Sequence, residues 1–246
     1  MESKRIPMTI KEFEIMEHPF GYKAEYWDGK AVFTPREQNV TTKLNIVRRS
    51  IKTSYNLMPI NPSFKPQMIE AFFESFQDSV EFCDWPQDKI RAHAEKIIND
   101  YFAGVRGKPH PVSVTALEPD KGDLAGLALF LCDRREQINL DLLFVMPSYQ
   151  RKKAATEMVS SAVNRLYEDG IRELYSAYHI CNEGSSKWHR SFGFEDVYDQ
   201  LYIRLKYSWC RHEIWRHEKL GLNNKAEELI KERDYWYSQL EDVWKY

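Results

Sequence analysis

The sequence predicts an α/β chain of the α+β kind, with strands gathered in the middle and helices around and after them. Three observations predict it. Three apolar runs, Val112 to Ala116, Leu124 to Cys132 and Ile138 to Val145, are parted by the turn-like segments Pro-Asp-Lys-Gly-Asp and Asp-Arg-Arg-Glu-Gln. The last run passes through a basic loop directly into an amphipathic helix, reading Leu140-Asp-Leu-Leu-Phe-Val-Met-Pro-Ser-Tyr-Gln-Arg-Lys-Lys-Ala-Ala155. The final segment is helical in pattern and broken at Gly221-Leu-Asn-Asn224, as a helical hairpin would be.

In chain order, Asp28-Gly29 lies between β-prone residues of the run Tyr22 to Pro35 and signals a hairpin. Thr41 to Ile51 is expected to supply the next strand, after which Pro59, Pro62 and Pro66 break the chain into a loop. Met68 to Phe76 has apolar residues at helical spacing. Trp85-Pro86 opens another helix, with Ile90, Ala94, Ile97, Ile98 and Phe102 on one face. Beyond the three strands, a helix from Lys153 carries Met158, Val159, Ala162, Val163 and Leu166 and ends at Gly170, a good C-cap. A strand from Glu173 to Ile180, a helix near Ser185 to Ser191 and a strand from Leu201 to Tyr207 follow. In the terminal hairpin Ala226, Ile230, Tyr237, Leu240 and Trp244 make one stripe.

A chain of 246 residues can form one large domain with appendages and a real core. Lys+Arg number 35 against 37 Asp+Glu, so no global field draws nucleic acid or an anionic membrane, and any phosphate recognition must be local. The aromatic share of 14%, with seven Trp and fourteen Tyr, suggests aromatic-lined grooves or interfaces as well as core. No apolar stretch follows the charges of the first residues, and the longest apolar run, Leu124 to Cys132, is far below membrane-spanning length. The four cysteines, Cys83, Cys132, Cys181 and Cys210, show no CxxC spacing. Free thiols in a reducing cytoplasm fit them better than a disulfide frame or a zinc site.

The basic loop carries the chemistry. First-turn amides of a helix have no intrahelical partners, and the dipole there favours an anion. Arg151, Lys152 and Lys153 oppose that dipole, a placement that makes sense if an anionic ligand sits among them; the alternative is a solvated basic loop.

This segment resembles the acyl-CoA-binding motif of the GNAT superfamily of N-acetyltransferases, Gln/Arg-x-x-Gly-x-Gly/Ala. Here it reads Gln150-Arg-Lys-Lys-Ala-Ala155, with Lys153 in place of the middle glycine. The family's second motif, Asn-x-x-Ala-x-x-aromatic-Tyr-x-Lys-x-Gly-Phe, has a counterpart in Asn182-Glu-Gly-Ser185-Ser-Lys-Trp188-His189-Arg-Ser-Phe-Gly193-Phe194. Asn182, Trp188 and Gly193-Phe194 match, while Ser185, His189 and Ser191 depart.

The resemblance implies a mixed, mostly antiparallel sheet splayed where acyl-CoA enters, flanked by helices. It divides the chain into an N-terminal hairpin extension (1–42), an acyltransferase domain (43–207) and a C-terminal helical appendage (208–246). The strand backbone at Leu143, Phe144 and Val145 would pair with the pantetheine amides. The loop from Gln150 through Arg151, Lys152, Lys153 and Ala154 to Ala155 would hold the pyrophosphate, with Asn182, Ser185 and Trp188 completing the site. A first-turn residue at position 153 is expected to take ordinary helical angles, so that lysine need not clash there.

Asp141 stands in an otherwise apolar run, where strand alternation would put it on one face with Leu143 and Val145. It is either a base that takes a proton from an attacking ammonium, directly or through water, or a structural carboxylate; Asn139 could hold that water. His189 replaces the tyrosine that in many family members protonates the departing thiolate, and is either that acid or a structural histidine. Tyr178 and His179 are weaker substitutes. Arg211-His-Glu-Ile-Trp-Arg-His-Glu218 only superficially suggests a zinc peptidase, since His212 and His217 are five apart rather than four. It reads as a polar helix surface, and no metal is expected.

The implied activity is acyl transfer, acetyl transfer foremost, from acetyl-CoA or another acyl-CoA to a small-molecule or peptide amine. The rival is an acyl-CoA-binding module without turnover that serves a partner. A cytoplasmic location with neither nucleic acid nor membrane as partner is expected. Trp209, Trp215, Trp236 and Trp244 are either core of the terminal hairpin or the interface of a homodimer, while the Tyr26-Trp27 hairpin either packs on the sheet or rims an acceptor pocket.

Overall fold

The structure, a computed structural model, describes residues 4–241. Strand β1 (Lys4–Pro7) and helix α1 (Ile10–Ile15) precede a hairpin of β2 (Tyr22–Trp27) and β3 (Lys30–Pro35). Asp28 and Gly29 at its tip have φ of 47° and 71°, the positive pair a two-residue turn requires. These strands form a small antiparallel sheet in the order β1-β3-β2.

Then come β4 (Asn39–Asn45), β5 (Asn56–Pro59), α2 (Lys65–Phe76), α3 (Gln87–Phe102) and β6 (Lys108–Pro109). The central run gives β7 (Val114–Leu117), β8 (Leu124–Cys132) and β9 (Ile138–Val145), followed by α4 (Ala154–Glu168) and β10 (Glu173–His179). The chain closes with α5 (Glu183–Phe192), β11 (Glu195–Val197), α6 (Gln200–Lys219) and α7 (Asn223–Gln239). The main sheet runs β11-β4-β10-β9-β8-β7-β5, with β6 on β8. Every neighbouring pair is antiparallel except β9 and β10.

Each face of the sheet has its own core. On one side α4 buries Met158, Val159, Val163 and Leu166, all at 0% exposure, against Phe130 and Leu140. That is the stripe the sequence spacing calls for, and Gly170, with φ of 83°, turns the chain out of the helix. On the other side α2 and α3 set Phe72, Ala94 and Ile98 against Leu127, Leu129 and Phe144. In α3 it is Tyr101, at 3% exposure, rather than Phe102 that goes under, its hydroxyl bonded to Ser113.

Three expectations need correction. Leu201 to Tyr207 is not a strand but the start of α6, because the Asp199 side chain accepts from Tyr202 N at 2.7 Å and caps a helix there. The strand in that region is β11, paired with β4. Second, the strand expected over Thr41 to Ile51 stops at Asn45. Beyond it α4 side chains hold the chain: Asn164 makes two hydrogen bonds with the Arg49 backbone (2.8 and 2.9 Å), and Glu157 accepts from Ser54 N.

Third, residues 211–218 are not simply a polar surface. Glu213, Arg216 and His217 are buried, with Arg216 donating to the Glu14 carbonyl at 3.0 Å and to Glu213 Oε2 at 2.6 Å. The α7 stripe buries Ala226, Trp236 and Leu240 while Tyr237 stays 42% exposed; Trp244 lies outside the described residues. The aromatic appendages divide: Trp236 is core and Trp209 donates to the His18 carbonyl, whereas Trp27 and Trp215 are exposed. Among the described residues no helix is long and apolar enough to cross a membrane.

Candidate active site

Strands β9 and β10 pair in parallel only at Asn139 with Tyr175 and Leu140 with Ser176, and then part. The other edge of β9 stays on β8 as far as Val145. From residue 141 onward β9 therefore turns one backbone edge into an open wedge. A groove of about 1230 Å³ occupies it, running out to the loop before α4.

The wedge begins at an irregularity. Leu129 stands opposite Leu142, but Phe130 stands opposite Leu140, so Asp141 is an extra residue with no partner on β8. The bulge also reverses the strand's alternation. Before it, Ile138 and Leu140 face the α4 core; after it, Leu143 and Val145 do, while Leu142 and Phe144 face α2 and α3. Asp141 consequently does not share a face with Leu143 and Val145. It turns to the α3 side, where Arg106 Nη1 donates to its Oδ1 at 3.0 Å.

Arg106 is itself fixed by a bond to the Ile97 carbonyl. Its Nη2 approaches Asp141 Oδ2 to 2.8 Å but out of hydrogen-bond alignment, so Oδ2 is a buried acceptor with no donor among the described residues. Burial pushes the Asp141 carboxyl above its usual range, and the guanidinium only partly offsets this.

His189 sits at the vertex of the wedge on the opposite side, at 3% exposure, among Tyr178, Trp188 and Phe194. Its Nε2 lies 3.0 Å from Ser176 Oγ, which donates to the Leu140 carbonyl, and its Nδ1 lies 2.8 Å from the Ser185 carbonyl. Burial lowers its pKa, the bond to Ser185 opposing, so the ring is neutral at pH 7.

At the outer end, Gln150 donates to the Val145 carbonyl at 3.3 Å. Arg151 and Lys153 then take φ of 61° and 69°. The expectation of ordinary helical angles at Lys153 fails: it is left-handed, at the N-cap of α4, and makes no side-chain cap. Glycine reaches that conformation without strain, which accounts physically for the glycine of the motif; lysine there costs about 1 kcal/mol. Left-handed residues in such a loop turn successive N–H groups into one concavity beside the open first turn of α4. Lys153→Gly is expected to leave stability unchanged or raise it by up to about 1 kcal/mol in urea unfolding, and Lys153→Val to lower it by about 1–2 kcal/mol. Equal stability of both variants would contradict this.

Gln150, Arg151, Lys153, Ala154 and Ala155 line the groove, but Lys152 does not; its Nζ stands over the Tyr149 ring. Asn182 caps α5 by accepting from Ser185 N at 2.9 Å, and its amide donates to Glu81 Oε1 at 2.6 Å. Trp188 reaches Thr156 Oγ1 in the first turn of α4, tying α5 to the loop. Asn139, Tyr178 and His179 also line the groove. Burial lowers the pKa of His179 and raises that of Tyr178.

Sequence reasoning missed Arg106, Glu81 and Ser176. Arg106 alone had a local signal, its place between Gly104 and Gly107, both at positive φ. The outer end of the groove offers an anion an open helix start, a left-handed loop and cations, with a free strand edge leading inward.

The sequence matches the profile of the Acetyltransferase (GNAT) family over residues 66–194, and the chain belongs to that family. No curated protein matches the sequence. Similar solved structures include a tandem GNAT protein from the clavulanic acid biosynthesis pathway, at 11% identity over 65% of this chain and 50% of that one, TM-score 0.43. A GCN5-related N-acetyltransferase from Sphaerobacter thermophilus is 12% identical over 72% of this chain and 50% of its own, TM-score 0.49. The aminoglycoside N-acetyltransferase AAC(6')-Iy in complex with CoA is 18% identical over 63% and 95%, TM-score 0.41. The chain spans half the length of the first two.

Proposed function

We propose that this chain transfers an acyl group, acetyl foremost, from a CoA thioester to an amine. The observation that carries the reading is the wedge: one strand edge left open from Asp141 to Val145, with an anion-seeking loop at its outer end and a partly neutralised carboxylate at its vertex. Acyl-CoA would supply the activated acyl group. The amides from Arg151 to Ala155, with the Arg151 and Lys153 side chains, hold the pyrophosphate. The edge of Leu143, Phe144 and Val145 pairs with the pantetheine arm and offers N–H groups to the thioester oxygen. Trp188 ties α5 to the helix start beside that loop, and Asn182 caps α5 by accepting from Ser185 N.

Asp141 takes the proton of the incoming ammonium at Oδ2, the oxygen that Arg106 leaves without a hydrogen bond; the free amine would then add to the thioester carbonyl, the C–S bond break, and CoA leave as a thiolate that takes the second proton shed by the nitrogen. Its raised pKa makes it a better base than a free carboxylate. His189 has a positioning role: through Ser176 and the Ser185 carbonyl it locks β10, β9 and α5 at the vertex. The groove also holds Glu81, whose Oε2 is buried without a partner among the described residues, so the acceptor is a cationic amine of small-molecule or peptide class.

Saturating acetyl-CoA is expected to raise Tm by about 5 °C. The double reversal Arg151→Glu/Lys153→Glu should abolish the shift, while Lys152→Glu should weaken it less. The absence of any shift with acetyl or longer acyl-CoAs would sink the reading. The Asp141–Arg106 pairing and the neutral, fully engaged His189 favour a second reading, an acyl-CoA-binding module without turnover. Thiol release across an amine panel separates the two: binding without release selects the module.

A further inference from the structure

The N-terminal segment meets α6 through a cluster that acyl transfer does not use. His18 Nδ1 lies 3.3 Å from His212 Nε2, and Glu213 Oε1 lies 3.9 Å from the first and 4.0 Å from the second. All three atoms fall within 4.8 Å of one another. We propose that they form a zinc site that clamps the N-terminal segment onto α6.

Donors bound tetrahedrally to zinc at its usual bond lengths stand about 3.3–3.5 Å apart. The two imidazole nitrogens already have that spacing, and Glu213 needs to move by only about 0.5 Å to reach it. Two imidazoles and a carboxylate suit zinc, whereas calcium and magnesium take oxygen ligands.

Each buried ligand has an outer partner of the kind that orients metal ligands. His18 Nε2 lies 3.1 Å from the Phe13 carbonyl, which makes it the protonated nitrogen and leaves the Nδ1 lone pair facing His212. Glu213 is gripped by Arg216, most closely at Oε2, 2.6 Å from Nη2. That guanidinium offsets part of the carboxylate charge, so the site binds at micromolar rather than nanomolar strength. His18 and Glu213 are buried, but the His212 side chain is 50% exposed, so an ion can reach the cluster and water can complete its fourth position.

The surroundings fix what the ion would do. Trp209 donates to the His18 carbonyl and Arg216 to the Glu14 carbonyl, so the segment already lies along α6. The site would bridge residues 194 positions apart in sequence. The His212/His217 spacing excludes a zinc peptidase helix, but His212 finds its partner in His18 instead.

The test uses the full chain, treated with chelator, dialysed, and titrated with zinc chloride by calorimetry and metal analysis. One zinc per chain with micromolar Kd is expected, with Tm raised by about 3–5 °C at saturation. His212→Ala, at an exposed position, should abolish both while its circular dichroism matches wild type. Cobalt added to the wild-type chain should give the visible bands of a four-coordinate site, a reading that requires no variant to fold. Lack of stoichiometric uptake, uptake that survives His212→Ala, or absence of those bands overturns the proposal.

Discussion

Asp141→Asn is expected to lower kcat/KM for an identified acceptor by about 10²–10⁴-fold while leaving the acetyl-CoA melting shift in place. Asparagine keeps the size of the side chain and can still accept from Arg106, but it cannot take a proton. The pH dependence follows from the same geometry. A base at Asp141 would work only when ionised, so the wild-type rate should fall as pH drops through its pKa, which burial has raised above its usual range. Arg106 is the opposing influence, favouring the ionised form. Arg106→Met should therefore move the acid limb to higher pH while sparing activity in alkaline buffer. Full activity in Asp141→Asn would remove the carboxylate from the chemistry.

Phe144→Ala is expected to destabilise the chain by about 3–5 kcal/mol, read as a Tm lower by about 10 °C or more. Phe144 is 5% exposed, with its ring edge-on to Phe72 and Phe76 of α2 at 6.2 and 6.0 Å. It belongs to the strand that forms the groove edge, so the substitution removes the anchor holding that edge to the α2–α3 layer. Acyl-CoA, under the proposed function a ligand of the folded chain alone, should partly restore the lost Tm. A loss below about 1 kcal/mol would mean that the site collapses around the missing ring.

The elements set by one periodic pattern could be read from sequence. The α4 stripe, the Asp28-Gly29 hairpin and the β7–β9 run all follow from local spacing and turn chemistry. Reading failed where one residue decides against the pattern. Leu201 to Tyr207 alternates like a strand, yet the Asp199 cap commits it to α6. Asp141 looked aligned with Leu143 and Val145, yet as the extra residue of a bulge it belongs to the opposite side. Lys153 looked like a first helical residue, yet it carries the left-handed φ that the motif reserves for glycine. Glu81 and the His18–His212 contact depend on residues distant in sequence, and no spacing encodes them; Arg106 had only its flanking glycines to mark it.

The parallel pairing of β9 and β10 has a consequence beyond the groove it opens. Because both strands point the same way, the helices that follow them, α4 and α5, both begin at the same rim of the sheet. That rim therefore receives the positive poles of two helices whatever side chains stand there. Its preference for an anion is wired into the order of the strands, and the cations of the loop only strengthen it. An anion would therefore find the same rim favourable whether glycine or lysine stood at position 153.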